Sequence, residues 1–154
     1  LIDILTPDRI AADLSVSSKS RLLEHLAGLL ADGRGERIER AVLDALVARE
    51  HLGSTGLGQG VAIPHGRVAA DIAPTAAFVR LQRPIDFGAP GGEPVDLVLA
   101  LVVPVHFTEL HLGLLAQVAE VFSDKAVCAR LRDAANAPQL LQCLGTASLQ
   151  FSEV

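Results

Sequence analysis

Val95-Asp96-Leu97-Val98-Leu99-Ala100-Leu101-Val102-Val103 is a run of aliphatic and β-branched residues broken by one carboxylate and closed by Pro104. A strand with one wet face alternates apolar and polar residues. A strand without that alternation is covered on both faces. The run therefore predicts a central strand with a layer of helices on either side, and the flanking sequence supplies the helices. Downstream, Thr108 can cap a helix whose apolar face is Leu110, Leu114, Leu115, Val118 and Val121. Asp124 caps a shorter helix carrying Val127 and Leu131. Asn136, with Pro138 just inside, opens a last helix that Gly145 should end, leaving residues 146–154 as a tail open to fraying.

Upstream the pattern alternates between the two kinds of element. Ala76 to Leu81 reads as a strand between Pro74 and Pro84, and Ile85 to Gly92 as a turn-rich connector. Val61-Ala62-Ile63 is a short apolar strand that Pro64 should terminate. Before it, Glu36 to His51 is a helix with Ile38, Val42, Ala45 and Leu46 as its buried stripe. Ser17-Ser18 can cap an earlier helix carrying Leu22, Leu23, Leu26, Leu29 and Leu30, which Gly33 and Gly35 stop. Ile10, Ala12 and Leu14 alternate as an edge strand does. The expectation is an α/β fold: one domain over residues 1–154, with helices on both faces of a sheet.

Composition fits this and removes several functions. Of 154 residues half are apolar, enough for a real core, and the formal net charge of −5 argues against sequence-independent binding of nucleic acid or of an anionic membrane. No apolar run reaches transmembrane length, and the first residues lack the pattern of a secretory signal, so membrane insertion is not expected. Cys128 and Cys143 form no Cys-x-x-Cys pair and read as free thiols in a reducing cytoplasm.

One stretch looks built for chemistry. Gly53-Ser54-Thr55-Gly56-Leu57-Gly58-Gln59-Gly60 leads into the short strand, and His65-Gly66-Arg67 follows Pro64. Glycines allow positive φ and close approach to a ligand, so Ser54, Thr55, Gly56, Gly58, Gln59, Gly60 and Gly66 are candidates for cradling an anion with backbone N–H groups. No Gly-Lys-[Ser/Thr] follows, and a helix precedes the glycines with a strand after them. Both nucleotide fingerprints are thereby excluded. His65 stands at the rim of a strand with Gly66 leaving one side of it open. Leu57, Val61 and Val68 around it are candidates for a docking surface.

Two other residues have paired readings. Arg49 extends the stripe of the second helix into its last turn, where it either favours the helix dipole and snorkels to water or points into the same cavity as His65. His111 lies in the first turn of the third helix. It either merely neighbours a cap or is held neutral by the positive helix end, ready to donate to a phosphoryl oxygen. Among the other histidines, His25 reads as solvated surface, His51 as a dipole partner at a helix end, and His106 as ambiguous. His106 and His111 are five apart, off one helical face, and no metal-ligand spacing occurs. A hydrolase or metal enzyme using His65, His106 and His111, or a module whose loop holds a nucleotide, are the readings from other classes. Metal analysis and a nucleotide titration separate them.

The run from Gly53 to Arg67, above all Ile63-Pro64-His65-Gly66, resembles the active-site segment of the fructose/mannitol-type IIA domains of the bacterial phosphoenolpyruvate-dependent phosphotransferase system. Further similarity lies in Pro84-Ile85-Asp86-Phe87, Glu93-Pro94-Val95-Asp96-Leu97, His111-Leu112-Gly113-Leu114-Leu115 and Ser123-Asp124-Lys125, so it spans nearly the whole chain. Leu5-Thr6-Pro7 and Ser18-Lys19-Ser20-Arg21 resemble the opening of the nitrogen regulatory branch. The resemblance implies a mixed sheet flanked by helices, and a phosphocarrier whose His65 receives a phosphoryl group on Nε2 from a small histidine phosphocarrier protein. It implies that His111 and Arg49 complete the site, with no cofactor and no metal. Gln59 stands where mannitol-type members carry Glu. The partners implied are that donor and either regulatory target proteins or a IIB domain. The opening segment, the Val95-Asp96-Leu97 strand and the lack of an attached IIB, IIC or carrier segment favour the regulator. The alternative is a standalone fructose or mannitol IIA component that passes phosphate to a IIB cysteine.

Overall fold

The computed structural model describes residues 4–152, apart from the side chains of Leu110 and of residues 148–152. In chain order the elements are β1 (Leu5–Leu14), α1 (Lys19–Ala31), α2 (Glu36–His51), β2 (Gly56–Gly58), β3 (Val61–Ala62), β4 (His65–Val68), β5 (Thr75–Ile85), β6 (Val95–Pro104), α3 (Thr108–Ser123), α4 (Lys125–Asp133) and α5 (Ala137–Ser152). A 3-10 turn at Pro90–Gly92 precedes β6. The six strands form one mixed sheet in the order β1-β5-β6-β3-β2, with β4 also on β6. The β1–β5 pair and the β6 pairs with β3 and β4 are parallel, whereas β5–β6 and β2–β3 are antiparallel.

The strand predicted to be covered on both faces is the middle of this sheet. From β6, Leu97, Leu99, Leu101 and Val103 face the core shared with α3, α4 and α5. Val98, Ala100 and Val102 face the core shared with α1 and α2. Each fully buried Leu or Phe contributes about 1.5–3 kcal/mol of transfer free energy, so every second residue of β6 ties one helical layer to the sheet. Capping chemistry sets the helix starts: Ser18 accepts from the N–H of Arg21, Asp124 from that of Ala126, and Asn136 from that of Gln139. Helix α2 has no side-chain cap, but Glu36 and Glu39 in its first turn favour the dipole.

Several expectations are corrected. Pro64 interrupts a strand instead of ending it. It lacks a donor, but its carbonyl accepts from Leu101 N–H at 3.0 Å, so pairing to β6 resumes as β4. Strand β5 runs through Pro84 to Ile85, because its register with β6 is broken between Arg80 and Ile85. Helix α3 is preceded by Phe107 at its cap position, not by Thr108, whose hydroxyl instead accepts from Arg67. Helix α5 passes through Gly145 and on to Ser152, since Leu140, Leu144 and Ala147 are buried in the core and packing outweighs the low propensity of glycine. The expected tail is thus helical to Ser152, and residues 153–154 lie outside the described ones. So does the side chain of Leu110, expected on the apolar face of α3. Cys128 is buried, where desolvation pushes its thiol up, and Cys143 is half-buried; both are free.

Candidate active site

The interrupted β3–β4 strand carries the site. Because Pro64 sits at the break, His65 becomes the first residue of β4, opposite Leu101 of β6, and its side chain turns into a cleft between α2 and the start of α3. Gly66 is what lets α2 approach. A Cβ there would lie 2.9 Å from the Cβ of Ala45 and 3.1 Å from its carbonyl carbon. Gly66 therefore serves the packing of helix on strand, its missing Cβ making room for Ala45.

The cleft is about 560 Å³ and is lined by Ala48, Arg49, Leu52, His65, Gly66, Arg67, Val105, Thr108, His111, Leu112 and Leu115. Its ionisable side chains are two arginines and two histidines, and among the described residues no carboxylate lines it. His65 is 9% exposed and His111 8%, and their ring centroids stand 5.2 Å apart at 50°. His65 Nδ1 is 2.8 Å from the carbonyl oxygen of Ile63. A carbonyl only accepts, so Nδ1 carries the hydrogen and Nε2 holds the free lone pair. Desolvation lowers the pKa of His65. The bond to Ile63 and the carboxylate of Glu50 raise it in part, and Arg49 lowers it further. His111 is lowered to about 4, first by burial and then by His65 and Arg67. Both rings are neutral at pH 7. Nδ1 of His111 is buried without a hydrogen-bond partner.

Both arginines are fixed at one corner only. Nη1 of Arg49 donates to Gly53 O at 2.9 Å, and Nη1 of Arg67 donates to Thr108 Oγ1 at 3.1 Å. A guanidinium has five N–H donors in a planar fork, so each retains others for an anion in the cleft. The structure thus gathers His65, His111 and Arg49 in one place. Sequence reasoning missed Arg67 and Thr108 as lining residues. The signal for Arg67 was its place two residues beyond His65, on the same side of a strand, but the strand itself had not been foreseen.

The glycine loop is placed differently. The N–H groups of Gly53, Thr55, Gly56 and Gln59 donate to Glu50 O, Glu50 Oε2, Ser54 Oγ and Glu93 Oε2. Gly56 abuts Ala89, and Gly60, at φ 80°, abuts Arg132 and Asp96. Gln59 and Gly60 line a separate cleft with Asp96 and Arg132, while Gly58 lies between them and Gly56 on β2 and its end. Of the seven candidates for an anion cradle, only Gly66 lines the His65 cleft. Val61 and Val68 are buried on opposite faces of the sheet, so they cannot form a docking surface, and Leu57 is half exposed away from the cleft lining. The apolar rim consists instead of Leu52 (85% exposed), Val105 and Leu112 (62% exposed). His25, His51 and His106 are exposed, His106 edge-on to Phe107. Among the described residues no three His, Cys, Asp or Glu side chains are grouped to hold a metal ion.

Residues 3–146 match the family described as phosphoenolpyruvate-dependent sugar phosphotransferase system, EIIA 2. The chain belongs to that family. This EIIA 2 chain is 44% identical over 142 residues to a nitrogen regulatory protein of Pseudomonas aeruginosa, covering 92% of each. It is 33% identical over 134 residues to a fructose-specific EIIA component of Haloferax volcanii, covering 86% of this chain and 87% of that protein. The crystal structure of nitrogen regulatory protein IIA-Ntr from Neisseria meningitidis superposes with a TM-score of 0.87 at 42% identity, over 93% of this chain and 97% of that one. The mixed sheet with helices on both faces is the IIA-Ntr fold. No helix among the described residues of this EIIA 2 chain is long and apolar enough to cross a membrane.

Proposed function

We propose that this chain is a nitrogen regulatory IIA phosphocarrier whose His65 accepts a phosphoryl group on Nε2 from a small histidine phosphocarrier protein. The observation that carries the reading is the Nδ1–H bond of His65 to Ile63 O, which leaves Nε2 as the lone-pair nitrogen of a ring lining the cleft. In an in-line transfer the P–N bond to the donor imidazole breaks as the P–Nε2 bond forms, and the Nδ1–H bond supports the positive charge that the ring gains. The phosphoryl arrives already activated on nitrogen. Arg49 and Arg67 bring positive charge from α2 and β4, and neutral His111 offers an N–H, so charge on the phosphoryl oxygens is countered by groups already in place. The exposed rim of Leu52, Val105 and Leu112 suits a transient protein partner, with apolar contacts around a polar centre. The loop glycines are assigned a scaffolding role.

Regulation follows from charge. A phosphoryl group adds about −1.5 to −2 charges at the centre of this rim, disfavouring partners with acidic or apolar patches and favouring those that present arginine. The nitrogen regulatory proteins among the relatives support this role over sugar uptake. The test is incubation with phosphoenolpyruvate and the upstream carriers, read by intact mass. Wild-type protein should gain one phosphoryl group, acid-labile and base-stable, and His65→Ala should gain none while keeping its fold. Phosphorylation of His65→Ala at the wild-type level would overturn the assignment. Onward transfer to a IIB cysteine would assign the chain to sugar uptake instead.

A further inference from the structure

Glu50 follows Arg49 on the last turn of α2, yet its side chain is only 6% exposed. A buried carboxylate is costly unless it is paired and hydrogen-bonded, and Glu50 is both. It pairs with Lys19 Nζ at 2.8 Å, accepts from Thr55 N–H at 3.3 Å, and accepts from the Thr55 hydroxyl. Lys19 in turn donates to Phe87 O at 3.0 Å and lies 4.2 Å above the Phe87 ring. From Thr55 the bonds continue toward the site: Thr55 O accepts from Ile63 N–H at 3.1 Å, and Ile63 O accepts from His65 Nδ1 at 2.8 Å. Thr55 thus joins the Glu50 carboxylate to the peptide whose carbonyl meets His65.

We infer that Glu50 is a positioning residue for His65, holding Thr55 so that the Ile63 peptide presents its carbonyl to the imidazole and fixes the Nδ1–H tautomer. The inference rests on the phosphoryl-acceptor reading for its functional meaning, though not for its geometry. Ile63 sits one residue before the Pro64 break, and its N–H bond to Thr55 O continues the antiparallel ladder of β2 with β3 past the Gly56–Ala62 pair. Freeing Thr55 lets the Ile63 peptide tilt, and a tilted carbonyl no longer selects which ring nitrogen keeps the hydrogen. Lys19 pairs with the carboxylate and holds it in place. It also links α1 to the same network, so both helices of that layer bear on the site.

The test reads the imidazole directly. ¹⁵N-labelled protein, without any phosphoryl donor, is examined at neutral pH by long-range ¹H–¹⁵N correlation of the His65 ring. Wild type should show a single Nδ1–H tautomer. Glu50→Gln, and Thr55→Val as an uncharged second variant, should shift His65 to a mixture of both tautomers. Thr55→Ser, which keeps the hydroxyl, should retain the wild-type pattern. Phosphoryl acceptance should fall about tenfold in the first two variants, the lower end of what is lost when the hydrogen-bond support of a ligating histidine is removed. An unchanged single tautomer in both variants would overturn the inference, whatever the rates. Should Glu50→Gln fail to fold, the Thr55 pair decides alone. If wild-type protein accepts no phosphoryl group, the carrier reading fails while the tautomer result still stands.

Discussion

The buried pair of histidines makes stability depend on pH in a direction that can be worked out. His111 titrates at about 4 in the folded protein against 6.5 when exposed, because burial and the nearby His65 and Arg67 disfavour its charged form. The unfolded chain therefore binds more protons between these values, and stability falls as pH drops through that window. Above pH 6.5 both states are neutral and nothing is lost; below about 4 both are protonated and the loss is complete. Between pH 7 and pH 5 the linkage for these two values comes to about 1.8 kcal/mol at full effect. Water in the cleft mouth screens part of it, which leaves about 1 kcal/mol. The perturbation is His111→Gln, a ring of similar reach replaced by a group that does not titrate. Urea unfolding at pH 7 and pH 5 should show wild type losing about 1 kcal/mol more than the variant. The variant keeps a shallower slope, because the pKa of His65 is lowered as well. Equal slopes for the two proteins, or a wild type that gains stability in acid, would refute the reasoning.

Three further outcomes are expected. Arg49→Lys should slow phosphoryl acceptance about tenfold or more with unfolding free energy nearly unchanged, since a point charge does not replace the planar fork that reaches both Gly53 O and the cleft; a wild-type rate would assign Arg49 to the helix end alone. Gly66→Ala should cost about 1–3 kcal/mol in chemical unfolding, because its Cβ would stand 2.9 Å from that of Ala45 and 3.1 Å from backbone, and Ala45→Gly in the same chain should recover part of the loss. Phosphorylation should move backbone amide resonances at Arg49, residues 65–67 and the start of α3, whereas widespread changes through β6 would mean that the domain refolds on modification.

What the sequence made legible is what local chemistry decides. Helix α2 begins and ends where its periodic stripe does, and Ser18, Asp124 and Asn136 cap as their side chains allow. The unbroken apolar run announced β6 because burial on two faces leaves no room for alternation. What stayed hidden depends on partners distant in the chain. His65-Gly66-Arg67-Val68 has no strand periodicity of its own and becomes β4 only because β6 offers Leu101 to Pro104 beside it. Gly56-Leu57-Gly58 reads as loop, yet it pairs with β3. The strand signal at Ile10 to Leu14 begins five residues late, since Pro7 and Asp8 mask the start of β1 at the sheet edge. Arg9 and Arg80 look like surface charges and are buried. Arg9 ties the backbone of β5 to Asp32, and Arg80 holds the last carbonyls of α4. At the site, His65 and His111 could be singled out by residue type. The carbonyl that sets the tautomer of His65, and the carboxylate behind it, could not.

On the proposed phosphocarrier reading, the arrangement needs no phosphate-binding loop. An N–H cradle binds an anion tightly in the ground state, and a carrier must release its phosphoryl group as readily as it takes it. Here the N–H groups of Gly53, Thr55, Gly56 and Gln59 are spent on Glu50, Ser54 and Glu93, where they brace the loop. The charge on the phosphoryl oxygens falls to two guanidinium groups and a neutral imidazole, brought from α2, β4 and α3. A phosphoryl group of about −2 on a ring that gains about +1 offsets part of the two unit positive charges of the cleft. A cleft whose positive charge falls in this way alters what its apolar rim attracts. It requires no movement of the sheet beneath, whose central strand is locked into both cores. On this reading partner choice is set at Leu52, Val105 and Leu112, and the fold serves to keep three separate elements at a fixed distance from one nitrogen atom.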